Sequence, residues 1–169
     1  MQFRLANRED LPKIQSMYRD IIEHMNNNKI EIWDDSYPCE FFAEDIDNNR
    51  LYLLVEEVGD IVAAAALCES NDGETYIKWE NTEAKALYMD RLGVNVAYRG
   101  QGMGNRILEH LRTLAKQKMA EYIRLFVVDI NRPAIQLYLK NGFKQASGIY
   151  EEKIDDNFIL CEYGFEIRL

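Results

Sequence analysis

The chain has 169 residues, enough for one domain with a sizeable core. Hydrophobic residues make up 47% and charged residues 29%, the balance of a soluble globular fold, and no apolar run approaches the ~18 residues of a membrane span. A net charge of −9, from 20 Lys+Arg against 29 Asp+Glu, argues against a nucleic-acid partner and mildly favours a cationic one.

Phe3 and Leu5 alternate with polar neighbours, which predicts a first strand over residues 2–6. Asn7 with Asp10 three positions on resembles a helix start, although Glu or Gln would suit a capping box better. Leu11, Ile14, Met17, Tyr18, Ile21 and Ile22 recur at helical spacing up to about Met25, and Asn26-Asn27-Asn28 ends the pattern. Residues 29–37 read as a loop carrying Trp33 and Tyr37. Pro38 stands at a first helical position, and Phe41, Phe42 and Ile46 give a short second helix. Leu51 to Glu57 and Ile61 to Glu69 are predicted strands around the hairpin signal Val58-Gly59-Asp60, and Asn71-Asp72-Gly73 marks the next turn.

A fourth strand is expected over Ala86 to Val94. A helix follows over 103–119, with Ile107, Leu108, Leu111, Leu114 and Ala115 inward, and then a fifth strand from Tyr122 to Val128. Arg132-Pro133-Ala134 opens a helix that stops at Asn141-Gly142. Phe143 to Tyr150 and Asn157 to Ile167 read as a closing antiparallel pair. The pattern predicts one mixed α/β domain over 1–169. The start Met1-Gln2-Phe3-Arg4 lacks the apolar stretch of a signal peptide, so a cytoplasmic setting is expected. Cys39, Cys68 and Cys161 form no CxxC pair, and only His24 and His110 accompany them, so no metal is expected. Cys68 falls in an apolar strand and reads as a small core residue.

Two stretches carry chemistry. Residues 92–105 read Leu-Gly-Val-Asn-Val-Ala-Tyr-Arg-Gly-Gln-Gly-Met-Gly-Asn, a strand running into a glycine turn that opens a helix. Such a turn presents backbone N–H groups to an anion. A nucleotide P-loop would need Gly-Lys-Ser/Thr where Gly104-Asn105-Arg106 stands. A dinucleotide fingerprint would need a glycine at Asn105 and an acidic residue ending a later strand. Residues 125–143 read Leu-Phe-Val-Val-Asp-Ile-Asn-Arg-Pro-Ala-Ile-Gln-Leu-Tyr-Leu-Lys-Asn-Gly-Phe. With Arg99-x-x-Gly102-x-Gly104, this closely resembles the GCN5-related N-acetyltransferase (GNAT) superfamily. Both family motifs stand in order, and the resemblance covers most of the chain. Val96 departs from the proline that many members carry.

The resemblance implies a GNAT-like, mostly antiparallel central sheet of about seven strands flanked by about four helices. Its fourth and fifth strands would splay to admit coenzyme A. It implies acetyl-CoA as co-substrate and a primary amine as acceptor, in a small molecule or a protein, attacking directly without a covalent enzyme intermediate. Gly100, Gly102, Met103, Gly104 and Asn105 would hold the pyrophosphate through backbone N–H groups, with Arg99 and Arg106 adding charge. The main chain of Leu92 and Val94 would pair with the amide-rich pantetheine arm. An N–H there, such as that of Val94, would steady the oxyanion. Asn131 would hydrogen-bond the arm, or simply cap its helix.

Tyr138 matches the acid near the departing sulfur, against the plainer reading of a packed core tyrosine. Asp90 is a candidate base, because strand alternation would put it on one face with Leu92 and Val94. The competing reading pairs it with Arg91 or Lys85. Trp33 and Tyr37, beside Glu31, Asp34, Asp35 and Glu40, suit a cationic acceptor, or anchor their loop on the core. A non-catalytic acyl-CoA-binding module is the alternative; it would keep Gly102, Gly104 and Asn131 but would not need Tyr138. The closing strands offer a surface for a homodimer, and no membrane partner is expected.

Overall fold

The computed structural model describes residues 1–169. Its elements fall into two compact units, each drawn from two separate stretches of chain: Met1–Leu67 with Arg91–His110, and Cys68–Asp90 with Leu111–Leu169.

In the first unit, β1 (Gln2–Leu5) pairs antiparallel with β2 (Leu51–Val55), and β2 pairs antiparallel with β3 (Ile61–Cys68). Ala63, Ala64, Ala65 and Ala66 of β3 are all fully buried, so neither face of this strand meets water. The Asn7 capping box forms. Asn7 Oδ1 accepts from Glu9 N at 2.8 Å and Asp10 N at 3.3 Å, while Asp10 Oδ2 accepts from Asn7 N at 2.8 Å. The box closes a 3-10 turn, Arg8–Asp10, ahead of α1 (Leu11–Asn27), and in that tight turn the short aspartate reaches where a longer acid is usual. Ile14, Met17, Tyr18, Ile21 and Ile22 of α1 are buried as their spacing predicts. The helix runs two residues beyond Met25. Pro38 stands just ahead of a 3-10 turn, Cys39–Phe41, rather than inside a first α-turn, and α2 (Phe42–Asp47) follows.

β4 (Ala86–Val94) belongs to the second unit as far as Asp90, and there it pairs in parallel with β5 (Tyr122–Val128), from Ala86↔Tyr122 to Met89↔Leu125. The register ends there, although β5 runs on to Val128. Over its whole length β5 is paired on its other edge with β8 (Ile159–Arg168), antiparallel from Tyr122↔Arg168 to Val128↔Glu162. The outer edge of β8 takes β6 (Lys144–Gln145) and β7 (Tyr150–Lys153). These two replace the single strand expected over Phe143 to Tyr150. Ala146 N still donates to Gly164 O of β8 at 2.9 Å, but Lys78 N donates to Ser147 O at 2.8 Å, and Gly148 turns with φ +111° against Tyr76 and Ile77, which takes residues 147–149 out of the ladder. The loop through Asn157 and Phe158 shortens the last strand.

Two helices complete the chain: α3 (Met103–Gln117) and α4 (Arg132–Lys140). Ile107, Leu108, Leu111 and Ala115 are buried, with Leu114 at the margin. Eight strands and four α-helices thus form a mixed, mostly antiparallel α/β fold, one short strand more than expected. No helix is long and apolar enough to cross a membrane.

Candidate active site

In the first unit, β4 ends where Asn95 ties it down. Asn95 N donates to Val62 O at 2.8 Å, its Nδ2 donates to Ile61 O at 2.9 Å, and its Oδ1 accepts from Ala97 N at 3.0 Å. This last bond caps a 3-10 turn, Val96–Tyr98, so Val96 opens a helical turn without a proline. The exposed loop Arg99 to Gly102 follows. Gly100 has φ +72° and Gly102 φ +76°, and a Cβ on either would meet no atom closer than 4.0 Å. Glycine is therefore required by the backbone angles and not by crowding. Met103, Gly104 and Asn105 form the first turn of α3, whose N–H groups point back toward that loop. A polyanion fits this arrangement, which combines positive-φ glycines, a helix start and the exposed Arg99. Arg106 is also exposed, with its Nη1 at 3.4 Å from Met1 Sδ.

The loop between α1 and α2 is an aromatic stack. The Trp33 ring centroid lies 5.8 Å from that of Tyr18 and 6.4 Å from that of Tyr37, and Tyr37 lies 5.3 Å from Phe41. Asp34 Oδ1 accepts from Ser36 N at 2.8 Å and Tyr37 N at 2.9 Å, so this carboxylate shapes its own loop. Trp33 and Tyr37 are half-buried, Trp33 against Tyr18 of α1 and Tyr37 between Trp33 and Phe41. Neither lines the open groove of about 320 Å³ that Arg19, Glu23, Asn26 and Asp35 border.

The period-two argument for Asp90, Leu92 and Val94 does not survive. Arg91 between them has φ +55°, and a left-handed residue breaks the pleat, so alternation cannot be carried through it. Arg91 makes a two-bond pair with Asp45, at 2.8 and 2.9 Å, and Lys85 Nζ donates to Lys118 O at 2.6 Å. Asp90 Oδ1 accepts from Asn71 Nδ2 at 3.1 Å. Asn71 is itself fixed, because its Oδ1 accepts from Gly73 N at 2.9 Å. Gly73 is wedged so tightly that a Cβ would stand 2.7 Å from both Phe126 and Tyr150.

Around Asp90 the second unit gathers acids that the sequence did not single out. Glu162 lies on β8 between Val128 of β5 and Tyr150 of β7. Burial first, then the charges of Glu152 and Asp90, push its carboxyl up to about 8. Glu152, two residues beyond Tyr150 on the same face, is raised as well, by burial and by Asp72 and Asp90. The signal available was an acidic residue in the middle of an apolar strand, two positions from a glycine.

Tyr138 on α4 is buried against Phe143 and Phe165, with ring centroids at 5.8 and 6.4 Å. Burial, with Asp90 second, holds its phenol well above the ordinary tyrosine value. Burial thus favours the neutral, protonated phenol. Asn131 caps α4, with Oδ1 accepting from Ala134 N at 3.4 Å, and this cap engages only the carbonyl side of the amide. No group of three or more His, Cys, Asp and Glu could hold a metal ion.

The profile of the family described as "Acetyltransferase (GNAT) family" matches residues 16–143. A thialysine N-epsilon-acetyltransferase of Sus scrofa is 26% identical over 141 residues, covering 82% of this chain and 81% of its own. An N-alpha-acetyltransferase of Sulfurisphaera tokodaii is 30% identical over 112 residues, covering 66% of this chain and 67% of its own. Among solved structures, a GNAT-family acetyltransferase of Listeria monocytogenes superposes with TM-score 0.76 at 19% identity, over 99% of this chain and 94% of that one.

Proposed function

The chain belongs to the acetyltransferase (GNAT) family, and from that premise we propose that residues 1–169 act as one catalytic domain carrying an acetyl group from acetyl-CoA to a cationic primary amine in a ternary complex. The family uses acetyl-CoA as co-substrate and amines as acceptors, and this chain is an acyl-CoA-dependent N-acetyltransferase. The relatives named above act on two different amines, a thialysine Nε and an α-amine. What carries over is the amine. The cationic preference rests on the net charge of −9 and the exposed carboxylates flanking Trp33 and Tyr37, which we read as lining the acceptor side.

On this reading the backbone N–H groups around Gly100, Gly102, Met103, Gly104 and Asn105 hold the pyrophosphate, with Arg99 and Arg106 adding charge. The main chain of Leu92 and Val94 pairs with the pantetheine amides, and Asn131 gives its Nδ2 to the same arm. Tyr138 donates a hydrogen bond to the departing sulfur. With its phenol held so far above a thiol, direct proton transfer is steeply uphill, so the hydrogen bond is its contribution and the sulfur is protonated late.

The acceptor ammonium must lose a proton before it attacks. Passing it from an amine near pKa ~10.4 to an ordinary carboxylate near ~4.3 is uphill by about 8 kcal/mol; a carboxylate near 8 reduces that to about 3 kcal/mol. The observation that carries this part is the grouping of Glu162 with Asp90 and Glu152. Asp90 and Glu162 act as one proton-accepting pair, Glu162 taking the proton and the charge of Asp90 raising its affinity. None of the three cysteines is in a disulfide, which suits the reducing conditions of a cytoplasmic enzyme.

The test is coenzyme A thiol release from acetyl-CoA over a panel of diamines, amino acids and peptides, run beside calorimetric binding of acetyl-CoA. Amine-dependent release supports the reading. Binding without release on any amine converts the protein into an acyl-CoA-binding module, and absence of binding overturns the role of the glycine turn.

A further inference from the structure

Arg91 lies within β4 with φ +55°, a conformation that a residue bearing a Cβ adopts only when its surroundings impose it. Here three contacts impose it, all within the first unit. The Arg91 guanidinium is paired at 2.8 and 2.9 Å with Asp45 of α2, which is fully buried and takes a second cation, Arg50 Nε, at 2.6 Å. The same guanidinium covers the Phe41 ring at 5.5 Å. On the backbone side, Tyr18 of α1, also fully buried, donates its hydroxyl to Arg91 O, while Ala64 O stands at 3.2 Å. A phenol has one proton to give, and the shorter contact, to Arg91, receives it. Gly93 makes room for this, since a Cβ there would stand 2.7 Å from Tyr18 Cζ. Phe42 and Trp33, at 4.5 and 5.8 Å, wedge the Tyr18 ring in place.

In a trans peptide the C=O and the N–H point in opposite directions. Fixing the Arg91 carbonyl on Tyr18 therefore fixes the Leu92 N–H on the opposite side of the chain. We infer that Tyr18 is a positioning residue, which orients the Arg91–Leu92 peptide so that the Leu92 N–H donates to the thioester carbonyl of the acetyl group. Leu92 lies three residues beyond Met89, where the β4–β5 register ends. This assigns the oxyanion donor to Leu92 rather than to Val94. It also links the acceptor loop to the chemistry, because Trp33 bears on the ring whose hydroxyl sets the peptide plane. The inference rests on the acetyltransferase reading.

The experiment is infrared difference spectroscopy of acetyl-CoA labelled with ¹³C at the acetyl carbonyl, bound to the wild type, to Tyr18→Phe and to Gly93→Ala. In the wild type the bound carbonyl band is displaced to lower wavenumber than in free acetyl-CoA. Tyr18→Phe keeps the ring and its packing, loses most of that displacement and lowers kcat about tenfold or more, while acetyl-CoA affinity stays within about threefold because the glycine turn is untouched. Gly93→Ala, which pushes the ring away and leaves the hydroxyl in place, produces the same loss. A band that keeps its full displacement in both variants, or a kcat that falls only in step with the folded fraction, overturns the assignment. A wild type that binds no acetyl-CoA removes the acetyltransferase reading itself, a result distinct from an unchanged band in a protein that does bind.

Discussion

Glu162 and Glu166 project from the same face of β8, four residues apart in an unbroken register, yet they have opposite surroundings. Glu166 meets Arg124 Nε at 3.2 Å and accepts from Glu80 N at 2.7 Å. Arg124 is held further by Asn81 O at 2.6 Å and by the Trp79 ring at 4.8 Å. Glu162 faces two other carboxylates, Glu152 and Asp90. One glutamate is a structural charge and the other a group poised to exchange a proton.

The structural one is expected to be costly to remove. Glu166→Ala leaves the Arg124 guanidinium buried without its counter-ion and should destabilise the fold by roughly 3–5 kcal/mol in urea unfolding. A loss below about 1 kcal/mol would show that the remaining partners of Arg124 suffice.

Glu162→Gln should act on the pH profile. A base must be ionised, so the wild-type kcat/KM is expected to rise with pH through about 8, and the glutamine variant should lose that limb. Stability runs the other way. The folded state holds this proton more tightly than the unfolded chain, so the wild type should lose stability as pH rises from about 4.5 to about 8, and Glu162→Gln should lose less over that window. An identical rate profile in both proteins would exclude Glu162 as the proton acceptor.

Asp90→Asn separates the members of the pair. If its charge supports Glu162, the variant remains active and its rising limb moves below pH 8. If Asp90 takes the proton itself, the limb disappears with activity, by about 10²-fold or more.

Tyr138→Phe removes only a hydroxyl from a packed ring and should lower kcat by about 10²-fold, with acetyl-CoA binding retained. The alkaline side of the profile should be unaltered between the two proteins, because the phenol does not ionise in the accessible range. Undiminished turnover would return Tyr138 to the core.

Gly100→Ala and Gly102→Ala test the cradle through backbone angle alone, since neither new methyl meets a close neighbour. Each should reduce stability by about 1–2 kcal/mol and weaken acetyl-CoA binding measurably by calorimetry. Full affinity in both variants would place the pyrophosphate elsewhere.

Much of this was legible in the residues. The glycine turn, the limits of β4 and β5 and the helix from Arg132 follow from local rules, because a positive φ, a proline in a first turn and an apolar period each leave a mark in sequence. Arg91 left none: a left-handed arginine is imposed by Tyr18 and Asp45 from other elements, and nothing next to it announces the break in alternation. Glu162 was missed for a related reason. Its proton affinity comes from burial and from Asp90 and Glu152, and these three acids belong to three different strands. The split of the expected strand at Gly148 also needed a remote neighbour, Tyr76.

The interleaving of the two units has a consequence for how the protein is made. The first unit takes its last stretch from Arg91–His110, so it cannot close until that stretch has been synthesised. The second waits longer, because β8, which follows β5, β6 and β7 in the chain, is the strand that all three pair with. A nascent chain would therefore carry β5 with one edge open until β8 has emerged, and a chain truncated ahead of β8 would leave that edge exposed to other chains.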